Sequence, residues 1–323
     1  MKMKTVLAIT GLSLAVMSGS SFASDYPNRP VKLVVPYAAG GITDVSTRMV
    51  AQALEKELGQ VIVIENRPGG ATSVASNHVS QQKPDGYTLY AASLSLPLNK
   101  YLQPDVKYDA FKDFQILSGL ADSPMVLEVG KGVSANNLTE LVEAMKANPG
   151  KYTIGASGVG ASNHIGAENF LMRTGTDGLI VQYQGGAPVR TALLAGEIDM
   201  TLATLNEAQP VLKSGDAKAV AVATMERLDA LPDVPTINEA MGWDDFEVVF
   251  WTALAAPAGL DPEVAKTIEA AMAKVGSDAQ LRQKLQESGV TLNVTSADQT
   301  VERMKTADRT FGPIIEKFMK NPQ

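Results

Sequence analysis

The sequence predicts an α/β protein of two lobes, each built on a parallel-rich sheet, with a cleft between them. The first observation is the order strand, helix, strand, helix, strand over residues 31–92, which favours a parallel sheet with right-handed crossovers. The second is that residues 152–187 repeat the arrangement at the start of the fold, which is a strand, a small-residue loop and a helix. The third is length, because roughly 300 residues beyond the leader suffice for two lobes of ordinary domain size.

The opening strand, loop and helix organise the rest of the chain. Residues 31–35 are a short, β-branched apolar run between prolines, which predicts a buried strand. Residues 38–41 predict a tight loop, and Thr43 or Asp44 is the candidate N-cap of a helix that ends at Gly59. Such a loop exposes backbone N–H groups at the positive end of a helix dipole, which suits an anion. An ordinary strand–helix turn without a ligand is the alternative at this point.

The remainder of the first lobe follows from the same periodicities. Two strands, the helix between them and an irregular segment complete it, and two further strands lead into the second lobe. The predicted bounds are strands 61–64 and 87–92, helix 72–82, irregular residues 99–114, and strands 114–120 and 125–129. The aromatic side chains expected to pack the irregular segment down are Tyr101, Tyr108, Phe111 and Phe114.

The second lobe is predicted to alternate strands and helices, and three helices close the chain. The predicted strands are 152–156, 179–183, 198–205, 217–224 and 246–256, the last of which returns to the first lobe. The predicted helices are 138–147, 165–172, 188–194, one that ends at 212, 261–275, 278–288 and 296–318. The expected division is 24–122 for the first part of lobe one, 123–246 for lobe two, and 247–323 for the return segment and C-terminal helices of lobe one.

Residues 1–23 have the features of a secretory signal peptide. Lys2 and Lys4 give a basic start, a mostly apolar run follows, and small residues precede a cut before Ser24. The apolar run is shorter than a membrane span requires. The chain has no cysteine, which excludes disulfides, thiol chemistry and a lipid on an N-terminal cysteine. We therefore expect an exported protein without a lipid anchor in the periplasm of a two-membrane bacterium.

The charge balance argues against two classes of partner. The chain carries 28 basic and 35 acidic side chains, a net charge of −7, and loss of the two leader lysines makes it −9. Nucleic acids and anionic membrane surfaces would repel such a protein, so neither is expected as a partner. An anionic ligand must then be held by local groups and not by the overall field.

Three glycine-rich loops, each joining a strand to a helix, are the candidate binding elements. They comprise residues 38–41 in the first lobe and residues 157–163 and 184–187 in the second. If the lobes face each other, the helix N-termini converge on one cleft and bind carboxylates through backbone amides and hydroxyls. Each charge-assisted bond of this kind contributes roughly 1.5–3 kcal/mol. Two or three of them, less ordering costs, support micromolar binding, which corresponds to about −8 kcal/mol.

An exported, hydrolase-like enzyme is the competing interpretation. Ser157 lies in GASGV, near a nucleophile elbow, but Val159 stands where the second glycine belongs. The only histidines are His78 and His164, and their spacing indicates neither a metal site nor a triad. No phosphate loop is present, and the dinucleotide fingerprint is incomplete. We therefore expect no catalytic residues, no metal and no cofactor, and an enzyme would have to use Ser157 or His164.

Six short motifs stand out along the chain. They are YPNRPVKLVVPYAAGGITD at 26–44, ENRPGG at 65–70, PDGYTL at 84–89, YQGGAP at 183–188, LPDVPT at 231–236 and LAAPAG at 254–259. In this order and spacing the sequence resembles the substrate-binding proteins of tripartite tricarboxylate transporters, the Bug or TctC-like family. The resemblance covers nearly the whole chain beyond the leader.

The resemblance implies a type II periplasmic binding protein, a Venus flytrap fold without catalysis. A small organic carboxylate would be held in the cleft, and the liganded protein would deliver it to a membrane permease with one large and one small subunit. A monomer is expected, and a carboxylate sensor that presents its closed form to a membrane receptor is an alternative that uses the same cleft. The candidate ligand-binding residues are Tyr37, Ala39, Gly40, Gly41, Thr43, Asp44, Ser93, Ser157, Ser162, Asn163, His164, Gln184, Gly185, Gly186 and Ala187.

The sequence departs from the family pattern at three positions. Ile42 stands where glycine is frequent, which makes the first loop bulkier. Gln184 replaces a common lysine, so one positive charge is missing. Ala203 stands where an aspartate is often found, which weakens the case for a ligand ammonium group. The sequence therefore favours a simple mono- or dicarboxylate over an amino acid.

Overall fold

The computed structural model describes residues 26–320, so the signal peptide predicted at residues 1–23 lies outside the described part. The strands are β1 (Val31–Val35), β2 (Ile62–Asn66), β3 (Thr88–Ser93), β4 (Phe114–Gly130), β5 (Thr153–Ala156), β6 (Leu179–Gln182), β7 (Met200–Thr204), β8 (Ala217–Val222), β9 (Val249–Pro257) and β10 (Thr291–Leu292). The helices are α1 (Ile42–Leu58), α2 (Ser73–Val79), α3 (Ser95–Leu102), α4 (Leu138–Ala147), α5 (Ser162–Thr174), α6 (Gly186–Ala195), α7 (Leu205–Ser214), α8 (Ile237–Met241), α9 (Pro262–Gly276), α10 (Ala279–Glu287) and α11 (Ala297–Lys320). A short 3-10 turn, Gly70–Thr72, precedes α2.

Two lobes, each with a parallel-rich sheet, share one long strand. In the first sheet β2, β1 and β3 are parallel, and β9 lies antiparallel between β3 and β4. In the second sheet β6, β5 and β7 are parallel, and β4 is antiparallel to β7 and β8. The α/β architecture with a mixed sheet in each lobe confirms the predicted fold class.

Strand β4 corrects one prediction, since two separate strands at 114–120 and 125–129 are in fact one strand of 17 residues. The sequence predicts a break at residues 121–124, which contain an aspartate and a proline. In the structure these residues stay paired with β9, with Asp122 opposite Trp251 and Pro124 opposite Val249. The first half of β4 therefore belongs to one sheet and the second half to the other, and the strand is a covalent link between the lobes.

Alternating side chains of β1 show how each sheet is buried on both faces. Val31, Leu33 and Val35 pack in one apolar cluster with α1, α9 and α10. Val34 points to the opposite face, into the cluster built with α3 and α11. Burial on both faces is the normal state of a parallel sheet between two helical layers. The second sheet is covered in the same way by α4, α5 and α8 on one side and by α6 and α7 on the other.

Helix α3 corrects a second prediction, because it covers part of the segment expected to be irregular. It begins at Ser95 and places Pro97 near its start, where a proline is tolerated. The buried Asn99 amide then donates to Thr72 Oγ1 and to the Tyr108 hydroxyl, both at 3.1 Å. These bonds are tertiary and leave no signal in the local sequence. Phe111, expected to pack down, is 38% exposed.

Helix α11 packs against elements of both lobes. It contacts α3 and β4 of the first sheet and also α5 of the second. Its Arg303 donates two hydrogen bonds to Asp122 on β4, at 2.8 and 2.9 Å. The sequence does not predict the short elements α8 and β10. None of the helices within residues 26–320 combines the length and the apolar composition that crossing a membrane requires.

Candidate functional site

A cavity of about 610 Å3 lies between the two lobes. Most of its lining residues lie just after β1, β2 and β3 in the first lobe or at and after the ends of β5 and β7 in the second. The carboxyl ends of parallel strands are where open α/β sheets bind ligands, since the loops and helix N-termini converge there. The first turns of α1 and α5 and the N-cap of α7 therefore face one space.

The loop after β1 is shaped by Asp44, the third residue of α1. Its carboxylate accepts a 2.9 Å hydrogen bond from the backbone N–H of Gly40, which has a φ of +83° that favours glycine. Asp44 is 2% exposed and does not line the cavity. Its carboxylate thus organises the loop, and Tyr37, Ala38, Ile42 and Thr43 form the surface of the cavity here.

Asn66 and Arg48 complete the support of this loop. Asn66 Nδ2 donates to Asp44 Oδ1 at 2.8 Å and to the Tyr37 carbonyl at 2.9 Å, while Arg48 Nε donates to Asp44 Oδ2 at 2.9 Å. Burial alone would raise the pKa of the Asp44 carboxyl, but Arg48, Gly40 and Asn66 together hold it below its usual value. The carboxylate is therefore ionised at neutral pH and acceptor-only, as this network requires.

Tyr37 forms the floor of the cavity in the first lobe. Its hydroxyl donates to Ser93 Oγ at 3.0 Å, and its ring meets Phe250 edge-on with centroids 5.7 Å apart. Burial raises the pKa of the Tyr37 hydroxyl to about 12, against weaker opposing hydrogen bonds from Ser93 and Ser95. Ser93 is fully buried, so it positions Tyr37 from beneath.

The loop after β5 is closed by residues of the first turn of α5. Asn163 Oδ1 accepts from the Ser157 backbone N–H at 3.1 Å and from Ser157 Oγ at 3.0 Å. His164 Nδ1 accepts from the Gly160 N–H at 3.0 Å, which places the proton of the neutral ring on Nε2. Ser157 thus donates to an asparagine and not to a histidine, so this arrangement provides no general base for it.

His164 is buried beneath that loop and does not line the cavity. Its ring packs against Phe318 of α11, with centroids 4.4 Å apart, and its Nε2 lies 3.9 Å from Glu168 Oε1. Burial lowers the pKa of His164 to about 4. The neutral imidazole therefore connects the cavity-lining loop after β5 to the C-terminal helix.

The loop at residues 184–187 adjoins the cavity through a carboxylate. Gly186 begins α6, and a Cβ atom added there would lie 2.9 Å from Glu207 Cδ and would collide with Oε1. Glu207 itself lines the cavity and accepts a 2.7 Å hydrogen bond from Thr204 Oγ1 at the start of α7. Glu207 therefore stands between the loop and the cavity.

The predicted site residues fall into three groups in the structure. Those that line the cavity are Tyr37, Thr43, Ser157, Ser162 and Asn163. Those that support or adjoin the lining loops are Ala39, Gly40, Gly41, Asp44, Ser93 and His164. Those of the loop next to Glu207 are Gln184, Gly185, Gly186 and Ala187. The structure thus brings the residues of the first group together at the cavity, and the residues of the other two groups surround them.

Sequence reasoning missed several lining residues. Gly69, Ala71 and Thr72 follow β2, and their backbone carries φ values of +125°, +48° and +80°. A positive φ strains the backbone of an alanine or a threonine, and residues strained in this way cluster at functional sites. The signal for this loop was the ENRPGG motif, which also contains Asn66. Glu207 and Phe250 carried no local signal of a place in the cavity.

No group of three or more His, Asp or Glu side chains among residues 26–320 is placed to hold a metal ion. The polar groups at the cavity are backbone amides, hydroxyls, side-chain amides and one carboxylate. Such groups can bind and orient a small polar molecule, and the helix N-termini favour the negative end of it.

Comparison with known proteins places this geometry in a family. A UPF0065 protein of Bordetella pertussis is 32% identical over 98% of this chain and 97% of the relative. The solved structure of an R. palustris protein with adipate is 28% identical, with a TM-score of 0.77 over 90% of this chain and 97% of that one. MatC from Rhodopseudomonas palustris with bound malate is 27% identical, with a TM-score of 0.73 over 90% of this chain and 100% of that one. Residues 46–319 match the family described as "Tripartite tricarboxylate transporter family receptor". The chain therefore belongs to the TctC family of tripartite tricarboxylate transporter receptors, which are solute-binding proteins.

Proposed function

We propose that the protein captures a small organic carboxylate, a mono- or dicarboxylate, in the cavity between its lobes and delivers it to a tripartite tricarboxylate transporter. The observation that carries the proposal is the convergence of the α1 and α5 N-termini on one cavity from opposite lobes. Amide N–H groups and the helix dipole bind a carboxylate without a cationic side chain.

The cavity and its lining match the needs of such a ligand. A volume of about 610 Å3 is in the range of small-molecule sites, and the lining mixes apolar surface with a few polar groups. Two solved relatives hold adipate and malate, which are small dicarboxylates. We assign residues 24–122 and 247–323 to one lobe and residues 123–246 to the other, with closure of the lobes over the ligand.

Export and delivery belong to the same proposal. Residues 1–23 direct the chain to the periplasm, where the loaded protein docks on the permease subunits as a monomer. Fractionation of cells that produce the full chain tests export. Capture of the closed protein by membranes that contain the permease, and not by membranes without it, tests delivery. Capture by a membrane receptor that transports nothing would instead identify a sensor.

The binding step is tested by a thermal-shift screen of residues 24–323 against mono-, di- and tricarboxylates, followed by calorimetry. A ligand at one hundred times its Kd stabilises the folded state by about 2.7 kcal/mol, which raises the Tm by several degrees. Mass spectrometry of the denatured protein's supernatant first establishes that no ligand was carried through purification. No response to any carboxylate from ligand-free protein would overturn the proposal.

A matched pair of variants locates the binding site. Ala161 lines the cavity at the N-cap of α5, and Ala195 is exposed at the end of α6 in the same lobe. Ala161→Trp is expected to abolish the ligand-induced shift because the indole fills the cavity, while Ala195→Trp leaves the shift unchanged. Binding that survives Ala161→Trp would place the ligand elsewhere.

A further inference from the structure

The cavity is lined by neutral residues with one exception, Glu207. Among residues 26–320 no lysine, arginine or histidine joins this lining, and no ion pair includes Glu207. Burial of a charge without a partner is unfavourable, so a carboxylate in a binding cavity gains when a ligand offers it a donor. The position of Glu207 in the cavity lining therefore influences which ligands the cavity can bind.

The Glu207 carboxylate is held in position before any ligand arrives. Its Oε2 accepts the 2.7 Å bond from Thr204 Oγ1, and in the capping box of α7 it also accepts from the Thr204 backbone N–H at 3.4 Å. On its other side the carboxyl group lies against Gly186, where any side chain would collide with it. An acceptor that is already hydrogen-bonded and packed against backbone loses less conformational entropy on binding than a free side chain, which favours affinity and selectivity.

The charge of Glu207 also acts inside the second lobe. Glu128 on β4 is 1% exposed, and its Oε2 has no hydrogen-bond partner within residues 26–320. Burial, and then the nearby charge of Glu207, raises the pKa of Glu128 to about 7, while Arg190 acts in the opposite direction. The raising causes outweigh Arg190, so the charge of Glu207 is felt at a buried carboxyl of the same lobe.

We propose that Glu207 is a specificity-determining residue that accepts a hydrogen bond from a donor group, an ammonium or a hydroxyl, at the ligand's end opposite its carboxylate. The inference rests on the proposed function, since it assumes that the N-termini of α1 and α5 bind the carboxylate. A second carboxylate at the far end would lie against the charge of Glu207 and would be disfavoured by Coulomb repulsion.

This inference revises the expectation drawn from Ala203. Ala203 is buried on β7, opposite Val126 of β4, and no carboxylate is present at that position. Glu207, four residues later, brings a carboxylate to the cavity lining from the start of the next helix. A ligand ammonium group therefore has an acceptor in this lobe even though residue 203 is alanine.

The test uses ligands that differ at one end only and variants that differ in one charge. The ligands are adipate with its ω-amino and ω-hydroxy monocarboxylate analogues, and succinate with the same two analogues, each measured by calorimetry at neutral pH. Glu207→Gln keeps the capping acceptor and removes the charge. Glu197→Gln is the matched control, because Glu197 is exposed in the same lobe and lies outside the cavity lining.

The wild-type protein and the Glu197→Gln variant are expected to bind the amino or hydroxy member at least about tenfold more tightly than the diacid. In Glu207→Gln this preference disappears, because the amino member loses affinity and the diacid gains it. Preference for the amino member alone identifies an ammonium ligand, and preference for both analogues identifies a hydroxyl as sufficient. A wild-type preference for the diacid, or a preference that Glu207→Gln leaves unchanged, overturns the inference. Binding of no member by any of the three proteins, together with no response in the thermal-shift screen, overturns the proposed function as well, so the two failures are distinguishable.

Discussion

Asn66 Nδ2 lies 2.8 Å from Asp44 Oδ1, and this bond ties the end of β2 to the first turn of α1. The same amide nitrogen donates to the Tyr37 carbonyl, so one side chain supports the loop at both of its ends. The consequence is a cavity-lining loop whose backbone is held by polar side chains of α1 and β2. Loops of this kind keep their donors aimed at the ligand position at little entropic cost.

Asp44→Asn is expected to loosen this loop. The variant replaces an acceptor of three bonds with an amide that cannot accept them all, which should lower the free energy of unfolding by about 1–3 kcal/mol and weaken binding by about tenfold. Because the folded-state pKa of Asp44 is lowered, its contribution is present above its ordinary pKa of 3.8 and is lost as the pH falls through the folded value. Denaturant unfolding at pH 7 and pH 3 should thus show a difference that shrinks in acid.

Asp105→Asn is the control for that comparison, because Asp105 is exposed in the same lobe. It should change neither stability nor affinity. Equal affinity of Asp44→Asn and wild type would show that the loop does not need this carboxylate to present its donors.

The strand–loop–helix units could be predicted because each carries its information locally. The β-branched run Val31–Val35, the glycines after it and the helical periodicity that follows are read from consecutive residues. The residues around a carboxylate site follow from the same rule, since parallel strands end at one edge. The predicted residues that line the cavity could therefore be identified from the sequence alone.

The orientation of individual side chains could not be predicted from the sequence, for a physical reason. Asp44 turns toward Asn66 and Gly40, and His164 turns toward Gly160, because partners distant or adjacent in the chain compete for each polar atom. The approach of Glu207 to Gly186 depends on how α6 and α7 pack. No local pattern encodes such a distance, and the same holds for the buried amide of Asn99.

His164 should make the protein less stable in mild acid. The unfolded chain protonates this ring near its ordinary pKa of 6.5, whereas burial lowers the folded pKa to about 4. The unfolded state therefore binds more protons between these values, and the free energy of unfolding should fall by roughly 2–3 kcal/mol as the pH drops through that window. The His164→Gln variant should lack this part of the slope, measured by denaturant unfolding at several pH values. Parallel profiles of variant and wild type would show that the ring does not remain neutral in the fold.

Glu128 should make the protein less stable as the pH rises, which is the opposite of the effect of His164. Its folded pKa is raised to about 7 from 4.5, so the neutral carboxyl is favoured in the fold and stability is lost as the pH rises through that window. Glu128→Gln removes the charge that must otherwise be buried, and we expect a gain of roughly 2–3 kcal/mol over wild type at pH 8 that is absent at pH 4. Chemical unfolding at both pH values measures it. A gain of equal size at both would trace the effect to packing and not to ionisation.

Gly186→Ala should disturb the binding site without unfolding the protein. The added Cβ collides with the end of the Glu207 side chain, so the carboxylate moves and its bonds to Thr204 Oγ1 and to the Thr204 backbone N–H in the cap of α7 are lost. Loss of the cap should cost about 1 kcal/mol, and alanine in the first turn of α6 regains part of that through helix propensity. The ligand preference of the variant should approach that of Glu207→Gln, and Gly132→Ala, whose Cβ meets open space, should behave as wild type.

In a double-mutant cycle, Gly186→Ala should add nothing to the effect of Glu207→Gln on ligand preference, because both changes act on one carboxylate. Additive effects on the preference would mean that Gly186 contacts the ligand directly.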